Sequence, residues 1–166
     1  LDPVRMNALA DEFDVERRTT RFDDLLAMDD LDIIDVCTPP MLHYPMVMAA
    51  LKAGKHVICE KPLARTGAEA KTMHEAAKAS GVIHMVAFNY RRTPAVALAK
   101  KYIEEGRIGK ILNFRGTYLQ DWSADPNGPL SWRFQEKVAG SGAVGDIGTH
   151  VVDFARYLVG EISAVQ

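Results

Sequence analysis

Apolar residues Met6, Leu9, Ala10 and Phe13 recur at i, i+3, i+4 and i+7, which predicts an amphipathic helix over residues 3–13. Asp2 and Pro3 supply its N-cap and first helical residue. A short helix is expected around 22–28. The pattern then changes period. "LDIIDVC" (31–37) is a compact apolar run rich in β-formers, ended by Thr38-Pro39-Pro40, which cannot continue a ladder. Pro45 opens a helix through Ala53, closed by Gly54. "HVICE" (56–60) is the next strand, stopped by Pro62. Thr66 and Glu69 form a capping box for a helix to Ser80, ended by Gly81, and "VIHMVAF" (82–88) is a third strand. Buried strands alternating with helices at a spacing of about 25 residues argue for a parallel sheet with helical crossovers.

The character changes after Pro94, which starts a longer helix to Glu105, with Gly106 and Gly109 punctuating the chain just beyond it. "ILNFRGTYLQ" (111–120) reads as a longer strand of mixed polarity, suited to an antiparallel sheet with one wet face. Residues 121–148 are rich in Gly, Pro, Asp and Ser and read as a long functional loop. Thr149–Val159 is a helix closed by Gly160.

Composition narrows the class without choosing a function. The 166 residues are 48% hydrophobic and 25% charged, ordinary for a soluble globular protein, and suffice for one core or for one domain and part of another. Twenty basic against 22 acidic residues give −2, so no basic footprint points to nucleic acid or an anionic membrane. No apolar run approaches the ~18 residues of a membrane span, and no signal-peptide pattern is present. Cys37 and Cys59 both end strand-like runs, which favours free thiols in a reducing, cytoplasmic compartment. The chain opens on a helix cap with no lead-in and ends on "GEISAVQ", a strand entered and cut, so flanking residues are expected on both sides.

The most conspicuous candidate for chemistry is "AGSGAVGDIGTH" (139–150). Gly140, Gly142 and Gly145 spell G-x-G-x-x-G, but a dinucleotide fingerprint follows a buried strand and precedes a second strand with a terminal acid. Here "SWRFQEKV" precedes it, too polar for a central strand, and no such second strand comes after it. A phosphate cradle is therefore not expected. Asp146 and His150, at i and i+4, could share a helix face and bind a divalent ion. His43, His56, His74 and His84 lie at no ligand-like spacing, so no metal site is expected. Taken alone, Asp146 reads equally as a helix N-terminal charge.

Other stretches change that balance: "TPPMLH" (38–43), "AGKHVICEKPLA" (53–64), "AFNYRRTPA" (87–95), "GRIGKI" (106–111), "SWRF" (131–134) and "AGSGAVGDIGTHVVD" (139–153). Glu60-Lys61-Pro62 followed by Asp146-x-x-x-His150, in this order, resembles the Gfo/Idh/MocA oxidoreductases, the family of glucose–fructose oxidoreductase and inositol dehydrogenase. The resemblance implies an α/β fold: an incomplete Rossmann-type parallel sheet over 1–92, then the start of an α+β substrate and dimerisation domain over 93–166 with a mostly antiparallel sheet. It implies NAD or NADP, a sugar, cyclitol or related polyol oxidised at a carbinol, and a dimer or tetramer.

Roles follow from the same resemblance. Lys61 hydrogen-bonds the reacting hydroxyl, His150 is the general base, and Asp146 holds substrate or tunes the histidine; whether lysine or histidine is the formal base stays open. Thr38, Pro39 and Pro40 are expected to wall the adenosine and diphosphate. His43 either caps the following helix or touches cofactor. Glu60, Asn89, Trp132 and Arg133 join the cofactor side, and Arg91, Tyr118 and Asp121 the substrate side. The family's first strand, its own glycine-rich turn and the ribose-binding acid are expected to precede Leu1, so this stretch alone is expected to bind dinucleotide poorly and to be inactive. Two rivals stand beside this reading: a non-catalytic nucleotide- or sugar-binding regulatory homologue, and a reductase of a non-sugar substrate such as a dihydrodiol or an imine.

Overall fold

The computed structural model describes residues 2–166, and its first helix starts where one side chain dictates. Asp2 accepts from the N–H groups of Val4 and Arg5 at 3.0 and 3.3 Å and opens α1 (Pro3–Glu12). A single turn, α2 (Phe22–Leu26), leads to β1 (Ile33–Val36). A 3-10 turn (Pro40–Leu42) then feeds α3 (His43–Lys52), which starts two residues earlier than its proline suggests. Pro45 lies in the first turn of α3, where backbone N–H groups have no helical partner to lose.

β2 (His56–Cys59) is followed by α4 (Gly67–Ser80). Thr66 caps α4 by accepting from the N–H of Glu69 at 3.1 Å, and Gly81 ends it at φ 72°. The capping box is displaced by one residue: the Glu69 carboxylate accepts from the N–H of Arg65, not that of Thr66. β3 (His84–Val86) completes a three-stranded parallel sheet in the order β1-β2-β3, with Ile34 opposite Val57 and Val57 opposite His84.

Side chains alternate along these strands, so one sheet face builds the core. Ile34, Val36, Val57 and Cys59 pack against Val47, Ala50 and Leu51 of α3 and Met73 and Ala77 of α4. On the opposite face Ile33 and Met85 are each almost half exposed. Among the described residues, α3 and α4 cover one face of the sheet. Cys37 and Cys59 are both free, and burial, with the nearby Glu60 and Asp35 charges, pushes the Cys59 thiol up to about 12.

The second half is helical and loosely packed. α5 (Pro94–Glu104) follows a 3-10 turn at Asn89–Arg92. The strand expected over 111–120 does not form: the segment has no regular secondary structure and pairs with nothing among the described residues, leaving Leu112 and Leu119 86% exposed. A strand is a property of a ladder, and the β-prone residues here have no neighbour to bond. The expected loop 121–148 instead contains three short helical pieces: a 3-10 turn (Trp132–Phe134), α6 (Glu136–Ala139) and a π-turn (Val144–Gly148) running into α7 (Thr149–Leu158). No helix among the described residues is long and apolar enough to cross a membrane.

Candidate active site

Parallel pairing carries the carboxyl ends of β1 and β2 to the same edge of the sheet, so Cys37-Thr38 and Glu60-Lys61-Pro62 emerge side by side. His43 ties these two exits together. Its ring nitrogens lie 2.9 Å from the Pro62 carbonyl oxygen and 2.7 Å from that of Thr38. Its side chain is fully buried. Without accessible surface, the His43 side chain braces the site from behind.

Lys61 reaches across to the second half of the chain. Its ammonium donates to Asp146 Oδ1 at 2.7 Å and to the Asp146 backbone carbonyl at 2.6 Å. Arg133 Nε stands 3.4 Å from the other carboxylate oxygen, with its guanidinium over the Trp132 ring. Asp146 owes its position to the π-turn, whose wider winding displaces a residue from the regular helix face. Two glycines let that turn approach. Gly140, at φ 87°, lies against the Arg65 side chain, and a Cβ on Gly145 would collide with Ser141 and approach Pro62. The G-x-G-x-x-G follows α6 rather than a strand, and its glycines allow close packing: Gly140 against Arg65 and Gly145 against Ser141 and Pro62.

One turn on, His150 is buried among three aromatic rings: Tyr90 stacked at 4.3 Å, Phe88 edge-on at 6.0 Å and Tyr118 at 6.1 Å. Its pKa is lowered from the ordinary 6.5, first by burial and then by the Lys61 charge, against the opposing pull of Asp153, Asp146 and Glu60. The imidazole is therefore neutral at neutral pH and able to accept a proton.

Two cavities meet here. One, of about 270 Å³, is lined by Thr38, Pro40, Glu60, Lys61, Trp132, Arg133 and Asp146 among others. The second, of about 430 Å³, is lined by Asn89, Tyr90, Tyr118, Gln120, Trp122 and His150, and shares Glu60, Lys61, Arg133 and Asp146 with the first. The shared residues form a charged partition with Lys61 at its centre.

Three expected contacts lie elsewhere. Arg91 is committed to Asp153, donating through Nε at 2.8 Å and through its Nη2, and it stacks on Tyr157. Its Nε and Nη2 are held by a buried carboxylate, so that edge of the guanidinium braces α7, while the residue lines a separate cavity of about 480 Å³ with Asn89 and Asp153. Asp121 is exposed and lines neither cavity, whereas Tyr118, Gln120 and Trp122, in a period-two alternation around it, line the second. Pro39 is half-buried and also outside both linings. The same alternation could have found Gln120 and Trp122 from Tyr118. Asp153 sits three residues past His150, a spacing that marks a neighbour on a helix but names no partner for it.

With this geometry in place, comparison with known proteins identifies the class. Residues 2–88 match the model of the oxidoreductase family with an NAD-binding Rossmann fold (GFO/IDH/MocA), and residues 96–166 match the GFO/IDH/MocA C-terminal domain. The chain belongs to the Gfo/Idh/MocA oxidoreductase family.

Individual relatives sharpen this. The chain is 65% identical over 156 residues to levoglucosan dehydrogenase of Pseudarthrobacter phenanthrenivorans, a match covering 94% of this chain and 40% of that protein. It is 35% identical over 135 residues to the NADP⁺-dependent scyllo-inositol 2-dehydrogenase IolW of Bacillus subtilis, covering 81% of this chain and 37% of that protein. A solved levoglucosan dehydrogenase in complex with NADH and levoglucosan superposes with a TM-score of 0.95 at 62% identity, covering 98% of this chain and 44% of that one. The chain thus spans about two fifths of the length of these relatives.

Proposed function

We propose that this chain carries the catalytic wall of an NAD(P)-dependent oxidoreductase that moves a hydride between the nicotinamide and a carbinol carbon of a sugar, cyclitol or related polyol. Residues 1–92 belong to the dinucleotide-binding part and 93–166 to the start of the substrate domain. The observation that carries this reading is the convergence of Lys61 and Asp146, on the partition between two cavities, with His150, which lines the second.

The first cavity suits a nicotinamide. Pro40 and the Trp132 ring offer flat apolar walls, and Glu60 offers a carboxylate for a cationic ring or its amide. Thr38, Pro40, Glu60, Trp132 and Arg133 would hold the cofactor, which when bound takes up or releases the hydride. The second cavity, rich in hydroxyl and amide groups, suits a hydroxyl-rich ligand.

An ammonium has three N–H donors, and Asp146 occupies two, which leaves Lys61 one for the reacting oxygen. That hydrogen bond stabilises negative charge as the hydroxyl proton departs. Neutral His150 takes the proton, so we assign it the base and Lys61 the role of polarising donor. Asp146 holds Lys61 in place. Tyr118 faces the substrate from the second cavity, and Asn89, expected on the cofactor side, lines that cavity beside the Lys61 partition. Self-association, through surfaces such as the exposed apolar residues of 111–120, and a reducing cytoplasmic setting for the free thiols complete the reading.

The test is a panel of sugars and cyclitols, led by levoglucosan and inositols, offered with NAD⁺ and NADP⁺ to the protein at its full natural length. Absorbance of reduced cofactor is expected with at least one pair. Cofactor binding without turnover on any polyol would sink the assignment.

A further inference from the structure

A histidine that moves a proton is usually oriented by a hydrogen bond from its second ring nitrogen to a carboxylate or carbonyl. His150 has no such bond to any described residue, although it is among the most buried polar side chains in the chain. Asp153, the carboxylate on its own helix, is already held by Arg91. Asp146, one turn away, is held by Lys61. What touches the imidazole is the Tyr90 ring, stacked with centroids 4.3 Å apart and planes inclined by 29°.

Tyr90 is itself immobilised at both ends. Its hydroxyl shares a 2.6 Å hydrogen bond with that of Tyr118. Tyr118 accepts from Gln120 Nε2 at 2.9 Å, and Gln120 Oε1 accepts from the Trp122 indole at 3.0 Å. At its backbone end the Asn89–Arg92 turn is clamped to α7, the helix that carries His150, through Arg91 and Asp153. Tyr90 and His150 are therefore held in one frame by two independent ties.

We infer that Tyr90 is the positioning residue for His150: its ring, and not a hydrogen bond, sets the plane of the imidazole that receives the substrate proton. This inference rests on the base role assigned to His150 above. The hydroxyl of Tyr90 is secondary, an anchor that keeps the ring in register. The ring also keeps water from that face of the imidazole, consistent with burial being the largest cause of its lowered pKa.

The experiment uses the protein at its full natural length with its cofactor and a turned-over sugar, and compares Tyr90→Leu, Tyr90→Phe and His150→Asn. Tyr90→Leu is expected to lower kcat by about 10- to 100-fold, as loss of alignment does, with cofactor affinity within about twofold of the parent. The acid limb of its kcat/KM profile is expected to move up in pH, toward the ordinary imidazole value, because water then reaches the ring. Tyr90→Phe, which keeps the ring and loses a hydroxyl of the second cavity, is expected to lower kcat clearly less than Tyr90→Leu does, with the limb in place. If Tyr90→Leu loses cofactor binding through misfolding, Tyr90→Met, which fills the volume without a ring, carries the same expectations.

Parent-like kcat in Tyr90→Leu, a fall in kcat with an unmoved limb, or equal damage from Tyr90→Phe each overturns the inference. His150→Asn separates the layers. If it abolishes turnover while Tyr90→Leu stays active, only the positioning role falls. If His150→Asn itself stays active, the base role falls and takes this inference with it.

Discussion

The core cluster, from Ile34 to Ala77, lies entirely on the strands, α3 and α4, whereas between Pro94 and the C-terminus only Ala139, Gly145, His150 and Asp153 are buried among the described residues. The first half is held by apolar burial. The second is held to it by polar and aromatic ties: Lys61 to Asp146, Arg91 to Asp153, Arg65 to the Lys137 carbonyl, and Tyr90 to Tyr118. Apolar burial is strong and non-directional, whereas charge-assisted bonds at a half-open surface add little stability and much geometry. The site sits on the seam because a seam made of directional bonds can place reacting groups that a packed core would enclose.

The two halves should therefore fail in different ways. The largest effect is expected from Lys61→Ala, which removes the donor at the centre of the partition. Steady-state kinetics of the full-length protein should show kcat down by about a thousandfold with cofactor affinity nearly unchanged. Parent-like turnover would break the assignment of the site. Met73→Ala, in the apolar half, should do the reverse. Denaturant unfolding should show a loss of about 2–5 kcal/mol, while kcat per folded molecule stays at the parent value.

Asp153→Asn tests the seam itself. Breaking a fully buried ion pair can cost about 3–5 kcal/mol, but Arg91 is partly exposed, so about 1 kcal/mol is expected here. The more telling readout is kcat, which should fall because the turn carrying Tyr90 is no longer clamped to α7. The smallest effect is on pH dependence. His150 titrates below its ordinary 6.5 in the folded protein, so the unfolded chain binds its proton first on acidification. Its contribution to stability is then complete above pH 6.5 and lost as pH falls through the lowered native value. The slope of unfolding free energy against pH should flatten in that window in His150→Asn.

The apolar half is the more legible. Helix α4 can be bounded from Thr66 and Gly81 because an N-cap hydroxyl and a left-handed glycine act locally. The strands stop one or two residues short of their apolar runs at most ends, since ladder partners, not β-propensity, decide where a strand stops. The segment 111–120 fails as a strand for the same reason. Within the site, Lys61, Asp146 and His150 stand out through their neighbours in the chain, and all three line the cavities. The partners of His43 and Arg91 are not legible, because residue type and position leave open whether a polar side chain faces a ligand, a carboxylate or a carbonyl. Tyr90 carries no local signal, since nothing near it in the chain reveals a stack with a ring 60 residues on.

What the sequence determined by itself was therefore whatever acts over a few residues: caps, breakers, the order of helices and parallel strands, and the identity of the groups able to do acid–base chemistry. Tertiary structure alone decided which polar groups are spent on each other. It gave Arg91 to Asp153, both ring nitrogens of His43 to backbone carbonyls, and two of the Lys61 donors to Asp146. The physical reason is that a hydrogen-bond donor is committed by distance and direction. Those are set only when segments far apart in the chain pack against one another.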